Sequence, residues 1–361
     1  MAASPDKQPW TFDVSSLMVL IGENEEANYR LSRRSLLHCI TMVPVVGLQN
    51  YIRPYDLLLE PSNLNYFSPY GCKSAPLRNI RLTNAIRHNQ VLRDQRYTVY
   101  RIPNKLNPQS AANKASSRWY NFCLAGWVMF TWILFGGLLV FIILDPDTTW
   151  IGSATCGAFT GWSIILRLIE RMNIEPGEIP KVTDPDEHDA IYILGRGSAA
   201  FILEGTRRDI KRWTAQGLVY KSSSAFGISP WLWQGFTRVG SLLMLLFIFS
   251  AIPNGSTMDQ VAFIIQNVLA QLNVFLGQRL NSLCCLSELE SVQDLHMETR
   301  THMYAEVVRR FNSVNTNWIE HSGLLPKTDI WDMWRAEVVE AVDCDAKDIY
   351  SAMKQRKQDL P

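Results

Sequence analysis

The stretch Phe122–Leu144, FCLAGWVMFTWILFGGLLVFIIL, decides the architecture. It holds neither a charged residue nor a proline. Wound as an α-helix at about 1.5 Å per residue it is about 34 Å long, enough to cross a hydrocarbon core of about 30 Å. A buried helix of a water-soluble protein rarely runs this far without a polar face. The stretch therefore reads as a membrane span.

A short acidic turn, Asp145–Thr149, leads to a second expected span, Trp150–Ile169, which ends among Arg167, Glu170 and Arg171. Ser153, Gly157 and Gly161 recur every four residues on one face of it. That spacing favours close packing against the first span, with a homodimer face as the sharper alternative. Trp231–Ile252 is the third expected span; Arg238, about two turns inside, can reach the headgroups along its aliphatic stem. After the turn Pro253–Met258 comes the fourth, Asp259–Leu283, with Arg279 at its exit. The expected fold class is an α-helical integral membrane protein with four transmembrane helices (122–144 with 150–169, 231–252 with 259–283) plus an α+β cytoplasmic portion.

Charge orients these spans. Both inter-span turns lack Lys and Arg, whereas the segments 1–121, 170–230 and 284–361 all carry them. The positive-inside rule puts both termini and the middle segment in the cytoplasm, in either an endomembrane or the plasma membrane. The Asn254-Gly-Ser sequon then faces the lumen or exterior, close to the bilayer. From Arg78 to Arg118 nine Lys/Arg stand against one acid, Asp94. Aromatics are sparse there, so the segment is expected to attract anionic lipid rather than stack nucleic-acid bases. Over 361 residues, 35 basic and 34 acidic side chains nearly cancel, which gives no global argument for nucleic-acid binding. A mean hydropathy of −0.04 implies a large aqueous fraction.

The polar segments carry weaker signals. A strand is expected at Ser16–Gly22 and a helix at Glu23–Cys39. The apolar run Leu36–Leu48, interrupted by Pro44, is too short to span and reads as core of a lobe rather than a segment lying on the membrane. Between 170 and 230, strands at Ile191–Leu194 and Phe201–Leu203, a helix from the Thr206 cap to Gln216, and a third strand at LVYK suggest a β-β-α-β lobe. The 284–361 segment opens with SELESVQDLHMETRTHMYAEVVRRF, expected to continue the fourth span as helix. Two more helices are expected, at Asp329–Ala341 and, capped by Asp345, at Ala346–Lys357, with Trp331, Trp334 and Val338 as a core stripe.

Candidate chemistry is sparse. In the fourth span Asn267, Gln271 and Gln278 fall near one face, with Gln266 and Asn273 close by. Amides there bond neighbouring helices or line a hydrated path, and helix–helix bonding is favoured. The GRGSAA run places Gly195, Gly197 and Ser198 where a phosphate-binding loop of a dinucleotide site would have them. The residues after it read as a strand, so a hairpin turn is favoured and no cofactor is expected. Asp184, Asp186, His188 and Asp189 supply oxygen and imidazole ligands, but without a calcium loop's glycine and terminal acid a solvated linker is favoured over a metal site. His296, His302 and Glu298 lack HExxH spacing and read as surface residues. Cys284 and Cys285, beside the membrane, are candidates for lipidation or ordinary buried thiols. Seven scattered cysteines give neither a disulfide framework nor a zinc site. No catalytic residue is indicated.

The passage DPDEHDAIYILGRGSAAFILEGTRRDIKRWTAQGLVY, followed by FTRVGSLLMLLFIFSAIPNG, resembles a group of uncharacterised multi-pass membrane proteins of filamentous fungi. The likeness covers about the central third of the chain. It implies a fungal multi-pass membrane protein and no site residue. The functional expectation is a non-catalytic scaffold or accessory protein with protein partners and a possible homo-oligomer. The alternatives are an oligomeric channel or transport subunit, and a membrane-associated enzyme using residues 184–200.

Overall fold

The computed structural model describes residues 26, 29–30, 35–47, 49–52, 63–103, 110–221, 227–314, 317–341 and 344–358. Its helices are α1 (Leu36–Cys39), α2 (Gln49–Ile52), α3 (Ile80–His88), α4 (Ser110–Leu144), α5 (Trp150–Asn173), α6 (Arg207–Thr214), α7 (Pro230–Ala251), α8 (Thr257–Ser287), α9 (Arg300–Arg310), α10 (Asn317–Ser322), α11 (Asp329–Glu340) and α12 (Ala346–Gln358). The strands are β1 (Asn65–Ser68), β2 (Lys73–Pro76), β3 (Arg96–Arg101), β4 (Ile174–Pro176), β5 (His188–Leu194), β6 (Ala200–Thr206), β7 (Leu218–Tyr220) and β8 (Glu290–His296). The expected strand at Ser16–Gly22 lies outside the described residues. Three helical stretches, Trp119–Leu144, Trp231–Asn254 and Thr257–Ser287, are long and apolar enough to cross a membrane.

The chain divides into two units. The first gathers Met1–Glu60, Ser117–Gly177 and Leu218–Asn281. Its centre is α5, whose buried residues include Thr155, Thr160, Ser163, Arg167, Glu170 and Asn173. These polar side chains keep α5 out of the apolar set, and each needs a partner because no water reaches it. Trp162 Nε1 donates to Ser241 Oγ of α7 at 3.0 Å. Gln266 of α8 donates to the Cys156 carbonyl at 3.0 Å and to Thr160 Oγ1. The α4 indole of Trp127 donates to Asn273 of α8 at 2.7 Å. The small residues of α5 behave otherwise than expected: a Cβ added at Gly157 or Gly161 meets nothing within 4 Å. Packing of α5 instead uses the face of Cys156, Phe159, Trp162, Ser163 and Leu166, where bulk and hydrogen bonding are available.

Asp259 joins the starts of two helices. Fully buried, its carboxylate accepts from Thr149 Oγ1 at 2.6 Å and Thr149 N–H at 3.2 Å, capping α5, and from Ser256 N–H at 2.9 Å ahead of its own helix α8. A negative charge at two helix N-termini is favoured by both dipoles.

Two expectations for this unit are corrected. Ser35 is extended (φ −79°, ψ 152°) and its Oγ accepts from His38 N–H, so α1 starts afresh at Leu36 and no single helix runs to Cys39. Within the run Leu36–Leu48, whose last residue lies outside the described residues, Leu36 is exposed, but residues 43–46 are core, as expected, of the helical unit: Val43 and Val46 pack on Ala270 and Val274, and Val45 on Phe159 and Phe263. The third strand of the expected β-β-α-β lobe, β7, pairs antiparallel with β4 and not with β5 or β6. Lys221 N–H continues that pairing onto the Asn173 carbonyl at the end of α5.

The second unit gathers Pro61–Ser116, Glu178–Gly217 and Ser282–Pro361 around a six-stranded sheet in the order β2-β1-β5-β6-β3-β8. All neighbours are antiparallel except β3 and β6, which run parallel from Tyr97↔Ala200 to Arg101↔Glu204. The central strands HDAIYIL and AFILEGT are apolar on both sides because both faces are covered. Ala190, Tyr192, Ala200 and Ile202 face α9 to α12, where Trp318 and Trp334 are fully buried. Ile191, Ile193, Phe201 and Leu203 face α3 and α6 through Leu82, Ile86 and Ile210. Thr206 caps α6 and Asp345 Oδ1 accepts from Lys347 N–H at the start of α12. Residues 290–296, expected as helix, are the edge strand β8: pairing with β3 and the Arg96–Asp294 contact at 2.9 Å override local propensity.

Replacing Asp259 with Ala strands two helix-capping amides and a hydroxyl. A loss of about 2 kcal/mol or more is expected, read as a lowered thermal midpoint of the detergent-solubilised chain, with Asp259→Asn intermediate.

Candidate functional site

The residues singled out by sequence fall into separate places. Gly195, Gly197 and Ser198 form the turn of the β5–β6 hairpin, closed by Gly195 N–H donating to the Ala199 carbonyl at 2.9 Å. Gly197 has φ +67°, and a Cβ there would collide with the Asp94 carboxylate. Asp94 Oδ1 accepts the Ser198 amide at 2.9 Å and the Gln95 amide at 3.0 Å; Arg300 Nε donates to the Gly197 carbonyl at 2.8 Å. Ser198 Oγ donates to the Met297 carbonyl at 2.8 Å. A dinucleotide loop needs free amides opening a helix. Here a strand comes next, and an internal carboxylate occupies the Ser198 amide.

The acidic stretch is likewise engaged within the chain. Arg207 holds Glu187 at 2.6 Å and the Thr183 carbonyl at 3.2 Å. Asp189 Oδ1 accepts from the Ala190 amide at 2.8 Å and Ser68 Oγ at 3.3 Å, while burial raises its pKa. His188 meets the edge of Tyr70, and Asp184 and Asp186 are exposed. Among the described residues no group of three His, Cys, Asp or Glu side chains is placed to hold a metal ion. Cys284 and Cys285 are both buried. His302 bonds Asp345 at 2.9 Å.

In α8 the expected amide face separates. Asn267 donates to the Phe263 carbonyl of its own helix, Gln271 is half-buried and Gln278 is buried. Gln266 and Asn273 bond neighbouring helices.

The densest polar site was not legible in the sequence. In the helical unit Glu26, Arg30, His38, Arg167 and Glu170 are all buried, at 6% exposure or less. Arg30 Nη1 donates to Glu170 Oε1 at 2.7 Å and its Nη2 to Asn50 Oδ1 at 2.8 Å. Arg167 Nη1 donates to the carbonyls of Thr41 (3.0 Å) and Val43 (2.9 Å), and Nη2 to Pro44 at 3.3 Å. Pro44 lacks an N–H and the segment 41–47 is not helical; the Thr41 carbonyl takes the Val43 amide at 2.9 Å, while no helical ladder serves the Val43 and Pro44 carbonyls. Arg167 serves them instead. Further along the same segment, Val45 N–H donates to Ser163 Oγ at 2.9 Å, and Tyr51 Oη donates to the Val45 carbonyl at 2.8 Å.

Glu26 is the exception. Its Oε1 stands 3.7 Å from Arg30 Nε and 3.9 Å from Arg167 Nη2, and among the described residues neither carboxylate oxygen has a hydrogen-bond partner. Burial raises its pKa, opposed by Arg167 and Arg30. His38, edge-on to Tyr29 at 4.3 Å, is held neutral: burial first, then Arg167 and Arg30, lower its pKa to about 3. The cluster thus contains two cations, two carboxyls and a neutral imidazole, a combination able to take up or release a proton at Glu26. Its members lie about 140 residues apart in sequence, and only an arginine near the end of an apolar helix hinted at it.

No family model matches the chain, and comparison with curated proteins and with solved structures finds no match either.

Substitutions in these two places test the geometries. Gly197→Ala should destabilise the sheet unit by about 2 kcal/mol or more, read as faster hydrogen exchange across β5 and β6. Adding Asp94→Ala should cost less than the sum of the two single changes, since it removes the colliding carboxylate. Arg167→Met removes the donor to the Val43 and Pro44 carbonyls and leaves Glu26 uncompensated, and should cost about 3–5 kcal/mol in a detergent melt. Arg167→Lys should recover only part, because one ammonium cannot reproduce the fork.

Proposed function

We propose that the chain is a four-span membrane protein whose sheet unit lies on the cytoplasmic side and serves as a non-catalytic platform for protein partners. One observation carries the reading: β1 to β3, β5 with β6, and β8 come from three separate stretches of chain yet belong to one hydrogen-bonded sheet. Strands that pair must share one side of a bilayer. Helices α4 and α5 separate β3 from β5, so if the apolar stretch Trp119–Leu144 crosses, α5 must return. The same holds for α7 and α8 between β6 and β8. Polar α5 is tolerable as a returning span because its polar atoms are buried by protein. The turns 145–149 and 253–258 lack Lys and Arg, which favours the sheet side as cytoplasmic. The basic segment from Arg78 then lies where anionic lipid is abundant.

A platform is favoured over an enzyme because Asp94 occupies the Ser198 amide of the hairpin turn, and Glu187 and Asp189 of the acidic stretch are engaged by Arg207 and Ser68. A transport subunit is the second reading, favoured by the buried Glu26 carboxylate, which has no hydrogen bond among the described residues. Glycosylation reporters decide the topology: sites inserted at 110, 200 and 340 should stay unmodified, while one in a lengthened 145–149 turn should be modified. Modification at any of the first three overturns it. For the second reading, proteoliposome ion flux abolished by Glu26→Gln is the supporting result, and absence of flux in the unsubstituted protein removes it.

A further inference from the structure

The sheet unit holds a cleft of about 660 Å3, within the range of about 300–1,000 Å3 common for small-ligand sites. Its floor is apolar, with Ile86, Leu92 and Leu194, and its polar lining includes Arg87, Arg93 and Arg196. The three arginines are exposed, and among the described residues none is paired with a carboxylate. Elsewhere in the unit Arg81, Arg96, Arg207 and Arg310 each hold a carboxylate partner; what sets these three apart is that they line one cleft. Two arginines come from the end of α3 and the loop after it; the third comes from the hairpin turn about a hundred residues later, so the fold converges them. The walls are fixed. Asp94, the one acid in the loops 89–95 and 195–199, bonds across to the Ser198 amide, and Gly195 lies so close to the Leu92 carbonyl that a Cβ would stand 2.8 Å from it. Gln90 and Gln95 hold positive φ (50° and 66°) to make the first loop this tight.

Three unpaired guanidiniums above a hydrocarbon floor match one ligand chemistry. Planar N–H forks bind the oxygens of a phosphate in pairs, and a dianion answers several cations where one carboxylate would not. An apolar floor takes the hydrocarbon that such a phosphate carries. We propose that this cleft binds an amphiphilic organic phosphate, its phosphate on Arg87, Arg93 and Arg196 and its apolar part on Ile86, Leu92 and Leu194. The proposal deepens the anionic-lipid reading of the basic segment by naming a discrete pocket, and draws its third cation from outside that segment.

The test uses the full chain in neutral detergent with three probes: dioctanoyl phosphatidic acid, dioctanoylglycerol and inorganic phosphate. Saturable binding of the phosphatidic acid, weakened at least about tenfold in Arg87→Gln/Arg196→Gln but not in Arg212→Gln, is the expected result. Unchanged elution volume and thermal midpoint show that the double variant is folded. Equal, arginine-dependent binding of inorganic phosphate supports the phosphate site and assigns it to soluble phosphates. Dioctanoylglycerol binding as tightly as the phosphatidic acid, affinity unaffected by the double substitution, or no saturable binding overturns the proposal. None of these measurements depends on which side of a membrane the unit occupies, so failure here leaves the reporter result on topology standing.

Discussion

Arg167 is the side chain on which the helical unit depends. The 41–47 segment turns through the unit without helical hydrogen bonds, and most of its residues are buried. The Thr41 carbonyl takes the Val43 amide at 2.9 Å, but the Val43 and Pro44 carbonyls turn to Arg167, and each such bond left unmade would cost about 1–3 kcal/mol. One guanidinium serves both and reinforces Thr41, at the expense of desolvating a charge, which Glu26 nearby partly offsets. The consequence reaches the whole unit. A helix carrying Arg167, Glu170 and Ser163 cannot face lipid on every side, so α5 buries those side chains while α4, α7 and α8 expose Met129, Ile133, Leu243 and Phe275. Of these four long helices α5 is the one not apolar enough to count as a span by length and composition.

Local physics was legible in the sequence and long-range partnership was not. The apolar runs announced α4, α7 and α8 because length and absence of charge need no knowledge of neighbours. Thr206 and Asp345 announced their helices because a cap acts within three residues. The β5–β6 hairpin was visible for the same reason, its turn closing over five residues. By contrast β8 shows no clear strand pattern; it is a strand because β3 offers it an edge. Residues 65–101 supply three strands and a helix, where sequence had announced only basic charge from Arg78 onward. The site around Glu26 was invisible because each member looks ordinary until residues 26–50 meet 167–170.

The Gly195–Ala199 turn shows how a motif can be right about physics and wrong about ligand. Glycines there do permit close approach of an anion to backbone amides, and an anion is present: the carboxylate of Asp94. The next element is the difference between this turn and a phosphate loop. A helix would add its dipole and more free amides; strand β6 spends its amides on the sheet. Intramolecular use of the amide leaves the side chain of Arg196 to point its charge elsewhere. The turn therefore acts as a rigid mount: Asp94 and Arg300 fix its backbone, and fixed backbone positions a guanidinium at lower entropic cost than a mobile loop could.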